Sequence, residues 1–147
     1  MTATDLFEDD ILDLIFTNAD MNNIGDTTGL GGSTAAGNFY ISLHTAAIVD
    51  SNSTQNTSEA AYTSYARQAV ARTSGGWTIS GNNCSNTAAI TFPEATGGSN
   101  TITYFGIGSA VSGAGNLYMS GALDASLAVS SGITPEFAIG ELDVDAD

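Results

Sequence analysis

The sequence predicts an all-β protein, a β-sandwich or jelly roll of about eight or nine short antiparallel strands with one short N-terminal helix. Three observations support this fold class. A helical apolar period occurs only near the start of the chain, a period of two follows from residue 38 onward, and short Gly-, Asn- and Ser-rich segments separate the later apolar runs. A sheet of that many strands has to fold over on itself to bury its apolar faces.

Residues 4–17 are predicted to form the helix. Its apolar positions form one stripe, which Leu12 and Phe16 widen: Phe7, Ile11, Leu14 and Ile15. Asp5 followed by Glu8 resembles a capping pair, and acids in the first turn suit the positive end of the helix dipole. The stripe is expected to pack either on its own domain or on a neighbouring subunit.

The chain of 147 residues fits a single domain, 1–147. Within it we predict an N-terminal helical segment (1–18), two long polar loops or arms (19–37 and 45–64) and a β-sandwich body (38–147). The loops are rich in Gly, Asn, Ser and Thr and keep no regular period. Loops of this length in a compact domain are either functional or disordered.

Alternating polarity and turn residues together locate the strands. Phe39, Ile41 and Leu43 alternate with Tyr40, Ser42 and His44 in the first one. The remaining strands are predicted at 65–73, 77–80, 88–92, 101–108, 116–120, 125–129, 134–139 and 142–145. The expected core consists of the residues on their inward faces: Leu43, Val70, Trp77, Ile79, Ile90, Phe92, Ile102, Phe105, Ile107, Leu117, Leu123, Leu127, Phe137 and Leu142.

The charge balance excludes several classes of partner. The chain has 16 acids, no lysine and two arginines, Arg67 and Arg72, for a net charge of −14. Phosphate contacts depend on Lys and Arg, so we predict no binding to nucleic acid and none to an anionic membrane surface. No apolar stretch approaches the roughly 20 residues that span a bilayer. Arg67 is expected to form a salt bridge or a planar hydrogen-bonded anchor, either inside the subunit or across subunits, with pairing inside the subunit slightly favoured.

The sequence contains little that could support catalysis. His44 is the only histidine; it lies at the end of a predicted strand and is interpreted as a structural or surface residue. Cys84 is the only cysteine and is interpreted as a small buried hydrophobe. We therefore predict no catalytic residue, no cofactor and no enzymatic activity. A polysaccharide-degrading enzyme with paired carboxylates is the weakest alternative.

Calcium is the one metal worth weighing, because its ligands are oxygens. Two acidic groups could supply them, Asp9, Asp10 and Asp13 in the helix and Asp143, Asp145 and Asp147 at the C-terminus. Neither group has the EF-hand spacing, and the helical acids are more simply a solvated face. No metal ligand is therefore predicted.

The order of segments resembles a family of small tailed-phage β-sandwich structural proteins, often labelled tail fibre proteins and similar to the capsid cement, or decoration, proteins of siphovirus-like heads. The resemblance is carried by DLFEDDILDLIF (5–16), FYISLHTA (39–46), YARQAV (65–70), SNTAAITFP (85–93), ITYFGI (102–107), GNLYMSGAL (115–123) and FAIGELDV (137–144). It covers nearly the whole chain. The chain departs from the pattern in its long 18–37 insert and its lack of lysine.

The resemblance implies a capsid cement protein that binds the outer capsid surface and stabilises the head shell. Its expected partners are the major capsid protein and further copies of itself, as a homo-oligomer that is usually a trimer, with no cofactor. A tail fibre, another tail component or a host-receptor-binding module is the alternative. The subunit or capsid contacts are expected at ten residues: Leu6, Phe7, Ile11, Leu14, Ile15, Met21, Ile24, Leu30, Arg67 and Arg72.

Overall fold

A computed structural model describes residues 3–21, 24–25, 29–49 and 54–146 of the chain. In this part, helix α1 (Asp5–Leu12) continues into a π-helical turn (Asp13–Thr17), and all further regular elements are strands. The strands are β1 (Asn38–His44), β2 (Gln68–Ala71), β3 (Trp77–Ser80), β4 (Asn83–Asn86), β5 (Ile90–Thr91), β6 (Asn100–Gly108), β7 (Leu117–Val129), β8 (Glu136–Phe137) and β9 (Asp143–Asp145). The predicted fold class, an all-β sandwich with one short N-terminal helix, is confirmed.

The chain forms two compact units. The first comprises Met1–Asn38, Ala71–Ile90 and Phe137–Asp147, and the second comprises Phe39–Val70 and Thr91–Glu136. The single-domain organisation predicted for residues 1–147 stays a prediction. Neither helical segment in the described residues has the length and hydropathy that a membrane-spanning helix needs.

The first unit packs the helix on a three-stranded antiparallel sheet of order β3-β4-β9. Leu12 and Phe16, four residues apart and therefore on one helix face, are 3% and 0% exposed. The ring of Phe16 meets that of Trp77 on β3 edge to face, with 4.8 Å between centroids. These three side chains anchor the helix to the sheet.

The two helix ends are held differently. Thr4 is the N-cap but makes no side-chain capping bond, and Asp5 and Glu8 both lie inside the first turn. The predicted Asp5–Glu8 capping pair is therefore wrong, because the helix begins at Asp5 and leaves no room for Asp5 to cap it. Both acids are nevertheless placed where the helix dipole favours negative charge.

Arg72 stabilises the other end of the helix. Its guanidinium donates from Nε to the carbonyl of Ile15 at 2.6 Å and from Nη2 to that of Leu14 at 2.9 Å. A third bond runs from Nη1 to the carbonyl of Ala36 at 3.1 Å. A cation at a helix C-terminus satisfies carbonyls that the helix itself leaves without donors.

Strand β4 was not predicted, because its sequence NCSN has low intrinsic preference for a strand. It forms because Gly81 adopts a φ of +60° in the tight turn after β3. The turn returns the chain alongside β3, so that Ile79 pairs with Cys84, and β9 pairs along the other edge with Val144 opposite Cys84. Tertiary pairing thus outweighs local propensity.

Strand β7 joins two segments, 116–120 and 125–129, that were expected to be separate strands. Ile102 of β6 faces Leu127, whereas Tyr104, two residues further on, faces Ala122. The extra β7 residues between these pairs form a bulge that keeps the strand continuous. The sequence pattern there was interpreted as a turn because the bulge interrupts the alternation of polarity.

The second unit contains the larger antiparallel sheet, of order β2-β1-β6-β7. Seven of the predicted core residues across the chain are buried: Leu43, Trp77, Ile90, Phe92, Ile102, Ile107 and Leu142. The other seven are half-buried: Val70, Ile79, Phe105, Leu117, Leu123, Leu127 and Phe137. Alternation on β1 stops at Ile41, since both faces of the strand are buried from there to His44.

The described parts of the two predicted arms hydrogen-bond to their own chain. In the first, the side-chain amide of Asn18 donates to the carbonyl of Ser33 at 2.8 Å and accepts from its N–H at 2.7 Å. In the second, the N–H of Thr45 donates to Ser58 at 2.8 Å and that of Ala60 to Leu43 at 2.8 Å. Residues 22–23, 26–28 and 50–53 of these arms lie outside the described residues.

Candidate functional site

A buried polar cluster lies on the second unit, where the polar side of β1 meets the loop that follows it. Its members come from β1 and residues 55–67, and we refer to them as the Arg67 cluster: Ser42, His44, Gln55, Glu59, Tyr65 and Arg67. Ser42, His44 and Gln55 are 0% exposed and Arg67 is 6% exposed. Buried polar groups of this kind are tolerated only when they are hydrogen-bonded.

Arg67 holds the cluster together. Its guanidinium binds Glu59 through two bonds, Nε to Oε1 at 2.6 Å and Nη2 to Oε2 at 2.7 Å. The remaining donors reach Gln55 Oε1 at 3.1 Å and the carbonyls of Ala110 and Gly113 at 2.8 and 2.6 Å. All five guanidinium N–H donors are thus used within the chain. This geometry is the intra-subunit planar anchor that the sequence analysis favoured.

Gln55 and Tyr65 link the ion pair to β1. The Gln55 amide donates to the carbonyl of Tyr40 at 2.6 Å, and the Tyr65 hydroxyl donates to Glu59 at 2.9 Å. Tyr65 also accepts the N–H of Leu43 at 3.0 Å, and burial raises its pKa well above the usual range for tyrosine. The cluster therefore ties the 54–65 segment and the 110–113 turn to the central strand of the sheet.

Ser42 and His44 form the one arrangement in the cluster that resembles a nucleophile and its base. Ser42 Oγ lies 2.8 Å from His44 Nε2, and His44 Nδ1 lies 2.8 Å from the carbonyl of Thr57. Since a carbonyl can only accept, Nδ1 carries the hydrogen and Nε2 is the acceptor for the serine hydroxyl. Both side chains are 0% exposed, which leaves no access for a substrate to Oγ. His44 is therefore a structural histidine.

The buried imidazole predicts a pH dependence of stability. Burial lowers the pKa of His44 from its ordinary value of 6.5, an effect that Arg67 reinforces and that the Thr57 carbonyl and Glu59 oppose. The unfolded chain therefore takes up a proton at higher pH than the folded chain. The free energy of unfolding should fall as the pH drops below about 6.5, by at most about 1.4 kcal/mol per pH unit.

The measurement is urea unfolding between pH 5 and 8, with His44→Gln as the control that lacks the titrating group. Above about pH 6.5 the residue at position 44 should give neither protein a pH-dependent free energy of unfolding, because the imidazole is neutral in the folded and the unfolded state. If the free energy of unfolding falls equally with pH in the two proteins below that value, His44 is not the cause of the pH dependence.

Gly106 on β6 allows the close approach of the Ser42–His44 pair. A Cβ at this position would lie 2.8 Å from His44 Nε2, 2.9 Å from Ser42 Oγ and 2.6 Å from Leu117 Cδ1. We expect Gly106→Ala to lower the free energy of unfolding by about 1–3 kcal/mol through overpacking. Gly75→Ala is the control, since its Cβ would meet only Thr73 Oγ1 at 3.6 Å. Equal stability of the two variants would argue against the tight contact.

The remaining groups considered for catalysis or metal binding are Cys84 and the acidic side chains. Cys84 is 0% exposed, and burial, with Asp13 and Asp143 adding to it, raises the pKa of its thiol to about 12. It is therefore the small buried hydrophobe that was predicted. The described residues contain no group of three or more His, Cys, Asp or Glu side chains that could hold a metal ion. Asp147, part of one acidic group considered for calcium, lies outside the described residues.

The residues predicted to contact other subunits lie in three environments. Four are exposed: Leu6 (72%), Phe7 (44%), Ile24 (37%) and Leu30 (45%). Ile11, Leu14, Ile15 and Arg72 are half-buried. Met21 and Arg67 are buried, at 2% and 6% exposure, and contribute to the inside of their own units. The role of all ten residues in subunit or capsid contacts stays a prediction.

The placement of the helix divides its apolar residues into two stripes. Leu12 and Phe16, which were expected only to widen the predicted stripe, face the sheet instead. The predicted stripe itself is only partly covered by the described residues: Phe7, Ile11, Leu14 and Ile15. We refer to these four residues as the outer stripe.

Sequence reasoning located Arg67 but missed most of its partners. Gln55 and Glu59 lie within a polar segment that was interpreted as loop, and nothing in its pattern marks them as buried. One signal was present in the first strand, where Ser42 and His44 occupy the side opposite Ile41 and Leu43. A polar side on a central strand requires buried hydrogen-bond partners, and a scarce arginine is a natural one.

Comparison with known proteins identifies the family. A family model described as podophage GP4 fiber I protein gp80 matches residues 2–145, nearly the whole chain. No protein with a curated description matches it. The chain therefore belongs to the podophage GP4 fiber I protein gp80 family, and it is a structural protein of the bacteriophage virion.

Proposed function

We propose that this protein is a fibre component of a podophage virion and that it acts by adhesion to neighbouring virion proteins. The observation that carries the proposal is the match of the fiber I family model over residues 2–145. The fold is compatible with this role because its polar chemistry is used to hold the chain together. Arg67, Glu59 and His44 all have their hydrogen-bonding groups directed to the same unit.

The adhesive surface is proposed to include the exposed apolar residues that the fold leaves uncovered. On the helix, Leu6 and Phe7 are 72% and 44% exposed, and Ile139 near the C-terminus is 68% exposed. A contiguous patch of exposed apolar side chains marks an interaction site more often than a single exposed side chain does. Leu6 and Phe7 are neighbours in the chain, and we propose that the helix is the centre of this surface.

A second candidate is the capsid cement protein that the order of sequence motifs implies. In that role the chain would form a homo-oligomer, usually a trimer, on the outer capsid surface and would bind the major capsid protein. The resemblance of segments such as FYISLHTA (39–46) and GNLYMSGAL (115–123) supports this alternative. The family description supports the fibre.

Copy number and position in purified virions distinguish the two. We would measure the molar ratio of this chain to the major capsid protein by quantitative mass spectrometry and label it with gold-conjugated antibody. A few copies at the tail support the fibre, whereas hundreds of copies over the head support the cement protein. Absence of the chain from purified virions would overturn both.

We further propose that the protein is not an enzyme. The support is the burial of Ser42 and His44, both 0% exposed. The purified protein and its Ser42→Ala variant would be incubated with host surface polysaccharide and with ester substrates. Turnover that disappears in the variant would overturn the proposal, and equal background with both supports it.

A further inference from the structure

We propose that the N-terminal helix docks through its outer stripe into an apolar groove on a different virion protein, and that lysine or arginine residues border this groove. The inference deepens the proposed function and rests on it only in that the protein must be part of the virion. It applies to either location, tail or head.

The first step is the geometry of the outer stripe. The outer stripe begins at Phe7, and its other three members lie four, seven and eight residues later: Ile11, Leu14 and Ile15. Side chains at these spacings share one side of an α-helix, as the anchors of groove-binding amphipathic helices do. Phe7 and Ile11 lie in α1, and Leu14 and Ile15 lie in the π-helical turn that continues it. In this protein the side of the helix that packs on its own sheet is formed by Leu12 and Phe16. Phe7 is 44% exposed and Ile11, Leu14 and Ile15 are half-buried, so the outer stripe keeps apolar surface that its own unit does not cover.

The second step is the charge around the stripe. Between Asp5 and Thr17 the helical segment carries five acids and no base: Asp5, Glu8, Asp9, Asp10 and Asp13. Glu8 and Asp10 border the stripe on its two sides, next in helical position to Ile15 and Leu14 respectively. Charged rims of docked surfaces meet the opposite charge on the partner, which sets orientation and association rate. The expected partner groove therefore has a basic rim.

The third step excludes a second copy of this chain as the occupant. The chain has no lysine, so only Arg67 and Arg72 of a second copy could supply a basic rim for this helix. Arg67 is 6% exposed with its donors bound to Glu59, Gln55 and backbone carbonyls. Arg72 already donates to the carbonyls of Leu14, Ile15 and Ala36. A basic rim must therefore come from another protein.

The test uses the full chain and virions purified from a phage that lacks its gene. Radiolabelled protein is titrated onto these particles, and the concentration at half-saturation is measured for the wild type, Phe7→Ala and Asp10→Asn. We expect Phe7→Ala to raise it about tenfold or more, as for a central apolar anchor. Asp10→Asn should raise it severalfold at low salt and reduce its dependence on NaCl.

Two matched variants control for general effects. Val111→Ala removes a similarly exposed apolar side chain from the other unit, where it is 63% exposed, and Asp124→Asn removes an exposed acid from β7. Neither should change half-saturation. Circular dichroism checks that all four variants fold, which is expected because the substituted side chains are not part of the core.

The outcomes separate this inference from the proposed function. Failure of the wild type to bind the particles saturably, together with its absence from native virions, overturns the proposed function. Saturable wild-type binding that Phe7→Ala and Asp10→Asn leave unchanged overturns the inference alone. A photo-crosslinker placed at position 7 identifies the occupant: a segment of another chain containing Lys or Arg supports the inference, and a second copy of this chain overturns it.

Discussion

Arg67→Met is expected to lower the free energy of unfolding by about 3–5 kcal/mol, the range for a buried ion pair that loses one partner. The substitution leaves the Glu59 carboxylate, 15% exposed, without its two guanidinium bonds. It also removes donors from the carbonyls of Ala110 and Gly113. Each buried acceptor left without a donor adds to the cost. Urea unfolding followed by far-ultraviolet circular dichroism measures the change.

Two further variants identify the cause of that loss. Arg67→Lys should recover only part of the stability, because an ammonium group cannot reproduce the planar, bidentate contact with Glu59. The double variant Arg67→Met, Glu59→Leu should be more stable than Arg67→Met alone, since it removes the uncompensated charge. A loss below about 1 kcal/mol for Arg67→Met would place Arg67 among ordinary surface ion pairs and refute the role assigned to it.

Phe16→Ala is expected to cost about 3–5 kcal/mol, as for other fully buried phenylalanines. The side chain is 0% exposed and packs edge to face on Trp77 at 4.8 Å, so its removal leaves a cavity between the helix and the sheet of the first unit. Trp77 is the only tryptophan in the chain, and its fluorescence therefore reports the unfolding of this unit directly.

The same helix provides a matched control. Phe7 is 44% exposed, and Phe7→Ala should change the unfolding free energy by no more than about 0.5 kcal/mol, as for other surface substitutions. The two phenylalanines thus separate stability from adhesion: Phe16 should affect folding, and Phe7 should affect attachment to the particle. Equal losses of stability in the two variants would show that the outer stripe belongs to the core.

The strand content was predictable wherever polarity alternates clearly. Trp77–Ser80 was placed to the residue, and Asn38–His44 and Asn100–Gly108 were placed to within one residue. The two failures have different causes. Asn83–Asn86 has low strand propensity and becomes a strand because β3 and β9, the latter about 60 residues later, pair with it on either side, whereas a bulge hides the continuity of Leu117–Val129.

The candidate site was predictable only in part. The scarcity of cations singled out Arg67, and its planar geometry suggested an anchor within the chain. Its partners could not be identified, because Gln55 and Ala110 lie 12 and 43 residues from it. Burial of a polar residue depends on which segments pack over it, and local sequence does not contain that information.

By itself the sequence determined the all-β class, the position of the helix, the lack of lysine and the strongly acidic charge, because periodicity and composition are local properties. Only the tertiary structure decided which apolar stripe of the helix is buried and that the polar side of β1 is enclosed. The physical reason is that periodicity shows which residues share a face, whereas packing against distant segments selects the face that loses contact with water.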